Sequence, residues 1–477
     1  MQHDEYESLD GLGMAALLKS GDITTEDLMR CAVELGRSRG SALNALCYEQ
    51  YEASLELARN WQPRGAFRGI PFLLKDSGLP STRFPSSLGS RLLNDTTYEC
   101  NGTVTDRFEQ AGLIAFARST VPEFCMGATT EAVRNGGPTR NPWGLDRSAG
   151  GSSGGAAVAV AARIVPLAHG SDGGGSIRIP AACCGVYGLK ASRGRVPMGP
   201  LRGEGWGGMA TDGVLSLSVR DTAAAMDAIA GYEPGAPYAC PPQTGSYLDA
   251  VAEAPVKPFR IAVWRSAWND IAVAPEPLQA VEGAAELLRG LGHTVVDSAP
   301  PPIDYEAFVR AHACILASNI VLSVDTRLKL AGKSLQADDL EPAMISGYEF
   351  GKTIGADEYI ASVNRLHAIG RAMETYMQEF DLVLAPALTE LPVKLGELSM
   401  QRGAFLELRH RVSRYATFMA VFNASGQPAA SLPLFATSGG VPVAAQLVGR
   451  FGREDVILQV SAQLERAAPW RGRKPAF

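Results

Sequence analysis

Apolar residues fall into short runs and helical stripes that alternate along most of the chain. Residues 8–60 show helical apolar spacing with short breaks, and Thr24 or Thr25 is placed to cap a helix through Asp27, Leu28, Cys31, Ala32 and Leu35. The run Gly69-Ile-Pro-Phe-Leu-Leu-Lys75 predicts a buried strand with Lys75 at its end. Residues 102–112 predict a helix, and the stretch to Arg118 a strand. Further on, Arg260–Trp264 reads as a strand and 275–291 as a helix with Leu278, Val281, Ala285, Leu287 and Leu288 on its apolar side. Gly292 stops it, and His293–Val296 is the next strand. Residues 304–378 are mostly helical, Asp381–Ala385 is a strand halted by Pro386, and strands near 429–434 and 441–449 flank the turn Ser438-Gly-Gly440. A helix over about 454–467 closes the pattern. Strands and helices alternate without an internal repeat, so the fold class expected is α/β with a mixed sheet.

Two stretches break this rhythm. Residues 232–258, rich in Pro, Gly and Ala, read as an exposed connector. Residues 126–205 are dense in Gly, Ser, Ala and Pro, yet their glycines sit within apolar runs such as Ala156–Ala162. Glycine at that density in a core points to backbones approaching each other or a ligand.

Composition adds limits. Of 477 residues, 46% are hydrophobic and 20% charged, an ordinary globular balance. The formal charge of -6 gives no basic excess for nucleic acid or anionic lipid. The N-terminus lacks the pattern of a secretory signal, and no run of 18 or more apolar residues is free of charge, so neither export nor a membrane span is expected and the location expected is cytoplasmic. Eight cysteines without metal-ligand spacing predict reduced thiols and no metal site.

Candidate chemistry lies in Gly150-Gly-Ser152-Ser-Gly-Gly155 and in Gly170-Ser-Asp172-Gly173-Gly174-Gly175-Ser176-Ile-Arg178-Ile-Pro180. Amide hydrolysis needs an activated hydroxyl, N–H donors for the oxyanion, and a proton for the leaving nitrogen. Consecutive glycines let backbone N–H groups converge beside Ser176, and a helix after it would add its N-terminus. None of the six histidines stands out as a base, and His169, ending an apolar run, reads as structural. A lysine can serve if burial keeps it neutral. The apolar run before Lys75 suits that role, and equally suits a lysine whose amine reaches solvent.

Taken together, these segments resemble the amidase signature family. Ser152 and Ser176 lie 24 positions apart, as in that family, and Pro71-Phe-Leu-Leu-Lys75-Asp76 matches its lysine segment. The similarity extends to Thr139-Arg-Asn-Pro-Trp143, Phe422-Asn-Ala-Ser-Gly-Gln-Pro428 and Phe451-Gly-Arg-Glu-Asp455. The resemblance implies one amidase signature domain over 1–477, with a central mixed, twisted sheet covered by helices on both faces. Its parts would be an N-terminal helical region (1–65), a catalytic core (66–232), the connector (233–258), a variable substrate-side region (259–380) and a C-terminal return to the sheet (381–477). It also implies Ser176 as nucleophile, Ser152 on a non-proline cis peptide as bridge, Lys75 as base, and N–H groups of Gly173, Gly174, Gly175 and Ser176 as oxyanion hole. Cys125 would sit where a backbone carbonyl meets substrate. No cofactor is implied, and a homodimer is allowed, since dimers are common in the family.

The chain departs from the family's usual Asp-Thr-Gly-Gly-Ser at Gly173, which should loosen or widen the oxyanion turn. Gly188-Leu-Lys190 is followed by Ala191-Ser192 rather than Pro-Thr. Asp172 and Arg178 are expected to pair structurally. The pattern is most similar to free-standing hydrolases of small amides, among them cyclic-dimer amide hydrolases; aryl-acylamide and carbamate hydrolases share the family. The expected partner is therefore a small amide or carbamate. If segments 125–135, 199–209 and 312–350 line the pocket, then Trp206, Met209, Cys314 and Tyr348 suit a neutral, partly apolar or aromatic substrate. Trp206 and Tyr348 packing in the core is the alternative.

Three rivals are weaker. An α/β-hydrolase would use Ser152, Asp381 and His410. A glutamine amidotransferase subunit would need an acid that Tyr415–Met419 lacks and an arginine that Glu341–Ile345 lacks. Ser346–Thr353 resembles a phosphate loop but begins with Ser, and reads better as a helix end.

Overall fold

The computed structural model describes residues 1–94, 96–252 and 257–476. Its centre is an eight-stranded sheet. From edge to edge the strands are Thr294–Asp297, Arg260–Val263, Leu382–Pro386, Pro442–Gly449, Ala429–Ala436, Tyr187–Lys190, Thr211–Ser216 and Leu167–Asp172. The first two pairings are parallel and the other five antiparallel, so the sheet is mixed. Helices flank both faces. Arg178–Cys184 and Glu454–Ala467 both pack on the central hairpin pair, and Pro275–Gly290 packs near the parallel end. On Pro275–Gly290 the buried stripe is Pro277, Ala280, Val281, Ala284, Ala285 and Leu288; Leu278 and Leu287 are only half-buried at its border.

The lysine strand, Ile70–Lys75, lies outside this ladder. It pairs in parallel with Leu113–Ser119 in a three-stranded sheet that packs against the edge strand Leu167–Asp172. An imidazole replaces the missing ladder bond: the Lys75 N–H donates to His169 Nδ1 at 3.1 Å. His169 Nε2 then carries the hydrogen and faces Asp212 Oδ1 at 3.1 Å. Burial lowers the pKa of this imidazole and keeps it neutral, which is a structural role.

Local signals explain many boundaries. Thr24, not Thr25, is the cap: its hydroxyl accepts from the Asp27 N–H and the Asp27 side chain accepts from the Thr24 N–H. The helix Gly154–Ala161 is buried on every side, as its all-small, all-apolar sequence demands. Part of the expected connector is ordered otherwise. Tyr247–Ala252 is a helix with Tyr247 buried, its hydroxyl 3.4 Å from Glu454 Oε2, while 253–256 lie outside the described residues. Tyr305–Ala331 is long and apolar enough by length and composition to cross a membrane, although charged residues interrupt it. More than half of its most apolar window is buried within the protein, against helices Pro342–Lys352 and Ala356–Met377. The latter pair also disposes of a phosphate loop, because 346–352 is helical.

Candidate active site

Lys75 ends its strand fully buried, facing the end of Leu167–Asp172. Its Nζ lies 2.8 Å from Ser152 Oγ, 2.9 Å from Ser171 Oγ and 3.2 Å from Ser171 O. Burial is the largest influence on the amine and lowers its pKa; Cys125, Asp212, Asp172 and Asp76 oppose it. The Gly151–Ser152 peptide bond is cis. Ser152 and Ser176 line one cleft of about 480 Å³, together with Ser171, Gly173 and Cys125. The Ser153 N–H donates to Ser176 O at 3.1 Å, tying the two serine segments together.

The turn before Ser176 is held from below. Arg178 grips Asp172 through two bonds, Nε to Oδ2 at 2.9 Å and Nη2 to Oδ1 at 3.0 Å, and both side chains are wholly buried. That guanidinium holds the Asp172 carboxyl well below the usual carboxylate range despite burial. Asn423, from the distant Phe422–Pro428 segment, donates to Asp172 O at 3.1 Å and to its Oδ1 at 2.8 Å. Asp172 also takes the Gly175 N–H at 2.7 Å and the Ile177 N–H at 3.1 Å. The Gly175 N–H is therefore engaged within the loop, contrary to its expected part in an oxyanion hole. Among the described residues, the N–H groups of Gly173, Gly174 and Ser176 donate to no protein acceptor.

Gly175 has φ +120, which only glycine adopts without strain. At Gly173 the space beside the turn is taken. A Cβ there would stand 2.4 Å from the Trp206 ring, so the indole fills the space a threonine would take.

The Amidase family model matches residues 37–458. The chain belongs to the amidase signature family. It is 34% identical to the 6-aminohexanoate-cyclic-dimer hydrolase of Pseudomonas sp. strain NK87 over 98% of this chain and 96% of that protein. The hydrolase of the same name from Paenarthrobacter ureafaciens matches equally. A solved structure of 6-aminohexanoate cyclic dimer hydrolase complexed with substrate superposes with TM-score 0.92 at 33% identity, covering 98% of this chain and 99% of that one. A bacterial aryl acylamidase of the amidase signature family gives 0.88 at 27% identity over 98% and 99%. The amidase is thus an amide-hydrolysing enzyme by family.

Its other predicted residues scatter. Cys125 (φ +58) is buried beside Ser176, and burial pushes its thiol up to about 11, so it stays protonated at neutral pH. Trp206 lines the walls on both sides of Ser176. Met209 is buried in the aromatic cluster around Trp264. Cys314 and Tyr348 line neither wall: the thiol meets Glu358 Oε1 at 3.4 Å, and the phenol donates to Asp325 Oδ1 at 2.6 Å. His410 is exposed and Ser152 engages Lys75, which removes the α/β-hydrolase triad.

Two residues that sequence did not single out line a second cleft at Ser176 to which Ser152 does not contribute: His312, from Tyr305–Ala331, and Arg409, from Phe405–Tyr415. Ser171 was missed as well, although it lies inside the recognised segment. Only its distance to Lys75 gives its hydroxyl a role.

Proposed function

We propose that the amidase cleaves the C–N acyl bond of a small amide, whose amine portion is apolar or aromatic and uncharged, through an acyl-enzyme on Ser176. The observation that carries this reading is the 2.8 Å contact between Lys75 Nζ and Ser152 Oγ in a buried setting. A neutral amine has two N–H donors and one lone pair. Its donors suit Ser171 O and Oγ, and its lone pair suits the Ser152 hydroxyl.

The chemistry then balances. Ser176 Oγ attacks the carbonyl carbon, its proton passes to Ser152 Oγ, and the Ser152 proton passes to Lys75. The N–H groups of Gly173, Gly174 and Ser176 stabilise the oxyanion; each such donor is worth about 2.7–4 kcal/mol. The relay reverses to protonate the leaving nitrogen, and the C–N bond breaks. Water hydrolyses the ester by the same relay. Because Ser152 lines the cleft with Leu88, Phe124 and Met198, the leaving amine belongs there, which supports an apolar or aromatic amine. Arg202 is exposed at its rim.

The test compares an aryl anilide with the carbamate built on the same amine. Faster anilide hydrolysis is expected. Faster carbamate hydrolysis would make the enzyme a urethanase with the same side chains, and turnover by Ser176→Ala would remove the mechanism.

A further inference from the structure

A second cleft of about 300 Å³ meets the first at Ser176, Cys125 and Trp206 but is not lined by Ser152; Met126, Ala128, Ile179, Leu316 and Val412 are among its walls. It continues past Gly174, His312 and Arg409 into a second space lined by Tyr305, Phe308 and Val309. With the leaving amine in the cleft lined by Ser152, as proposed above, this second cleft receives the acyl group. Two groups in it bear on what it binds.

The first is Arg409. It is half-buried, and its Nη1 donates to Met126 O at 2.8 Å. No carboxylate pairs with it among the described residues. Burial brings its pKa down to about 10, opposed by Tyr305, so it remains a cation at neutral pH. A cation at a cleft wall without a counter-ion favours an anionic ligand that would pair with it. The second is His312. Its Nε2 is fully buried and has no hydrogen-bond partner. The ring edge faces the oxyanion turn, 3.2 Å (Cε1) and 3.6 Å (Nε2) from where a Gly174 Cβ would be. Burial, with Arg409 beside it, pushes this imidazole down to about 3, so it is neutral and offers one N–H or one lone pair.

We infer that the acyl portion of the preferred substrate ends in a carboxylate, held by Arg409 with His312 beside it across an apolar span. The substrate class is the monoamide of a dicarboxylic acid. An arginine fork matches a carboxylate with two parallel bonds, which no uncharged acyl terminus can supply. This rests on the acyl-enzyme reading above, and replaces the uncharged substrate expected from Trp206 and Tyr348.

The experiment uses three anilides: adipic acid monoanilide, hexananilide, and the hexanoyl amide of 4-aminobenzoate. For the wild-type enzyme, kcat/KM for the monoanilide should exceed that for hexananilide by about thirtyfold or more. In Arg409→Gln that ratio should collapse to about one or below, whatever the absolute rates. Arg409→Lys, with a point charge and no fork, should give an intermediate ratio and serves if the Gln variant does not fold. The ratio of the aminobenzoate amide to hexananilide should not respond to Arg409. A wild-type preference for hexananilide, or an unchanged monoanilide ratio in Arg409→Gln, overturns the inference. A preference for the aminobenzoate amide that depends on Arg409 overturns the assignment of sides. Hexananilide turnover through Ser176 reports separately on the acyl-enzyme reading: without turnover of any anilide that reading falls, and the inference with it.

Discussion

Two arginines flank the Ser176 turn in contrasting surroundings. Arg178 is wholly buried and fully answered: Asp172 accepts from Nε and Nη2, Asn423 Oδ1 also accepts from Nη2, and Gln446 Oε1 and Met419 O accept from Nη1. Arg409 is given one carbonyl, and the remainder of its guanidinium lines a cleft. The first charge shapes the turn, because breaking it would strand Asp172. The second has no carboxylate partner to strand among the described residues. A buried charge compensated within the fold does structural work; one left uncompensated at a cleft waits for a ligand. Lys75 is a third case, in which burial lowers the pKa of the cation instead of pairing it with a carboxylate.

The largest effect expected concerns that third case. Ser176→Ala should lower kcat/KM by about 10⁴-fold or more, and Lys75→Ala by a comparable factor near neutral pH, in steady-state assays of either anilide. Lys75 also sets a pH limb. Its folded pKa lies below the ordinary lysine value, so the rate should climb as pH rises through that lowered pKa, and the limb should vanish in Lys75→Ala. The same shift has a stability sign. Between the folded and unfolded pKa the unfolded chain binds the extra proton, so Lys75 contributes stability that grows with pH across that window.

Next in size is the direct comparison of the arginines by thermal or denaturant unfolding. Arg178→Leu should cost about 3–5 kcal/mol, because it leaves a buried carboxylate unpaired. Asp172, held low by Arg178, contributes stability that is complete above the usual carboxylate range and lost as pH falls through its folded pKa; the variant should lack that acid limb. Arg409→Gln should cost no more than about 1.5 kcal/mol, the worth of one hydrogen bond. Equal losses would erase the distinction. The smallest expected effect is at Gly173→Ala. A Cβ meeting the Trp206 ring must move the indole, so KM should rise about tenfold or less, and Trp206→Ala should relieve it.

How far this was legible in the sequence follows the same division. Lys75, Ser152 and Ser176 were legible through the short segments that resemble the amidase signature family; the residues alone left Lys75 open between a buried base and a solvent-reaching lysine. The strand ending at Lys75 was readable; its membership of a separate three-stranded sheet was not, since pairing depends on which distant edge it meets. The engagement of the Gly175 N–H by Asp172 depends on loop geometry that glycine's freedom leaves open. Helix 305–331 shows the limit most clearly. Cys314 was singled out and points to Glu358, whereas His312, two positions earlier and so about 200° away around the helix, faces the cleft. Arg409 lies on a helix rich in exposed charge, and nothing in its local sequence separates it from Arg411 or Arg414.

The central claim is that Ser176, served by Lys75 through Ser152, becomes covalently acylated. Its most direct test is peptide mass mapping of the enzyme treated with a fluorophosphonate at neutral pH. A single adduct on Ser176, strongly slowed in Lys75→Ala, is the predicted result. An adduct on Ser152 or Cys125, or labelling indifferent to Lys75, would contradict the account.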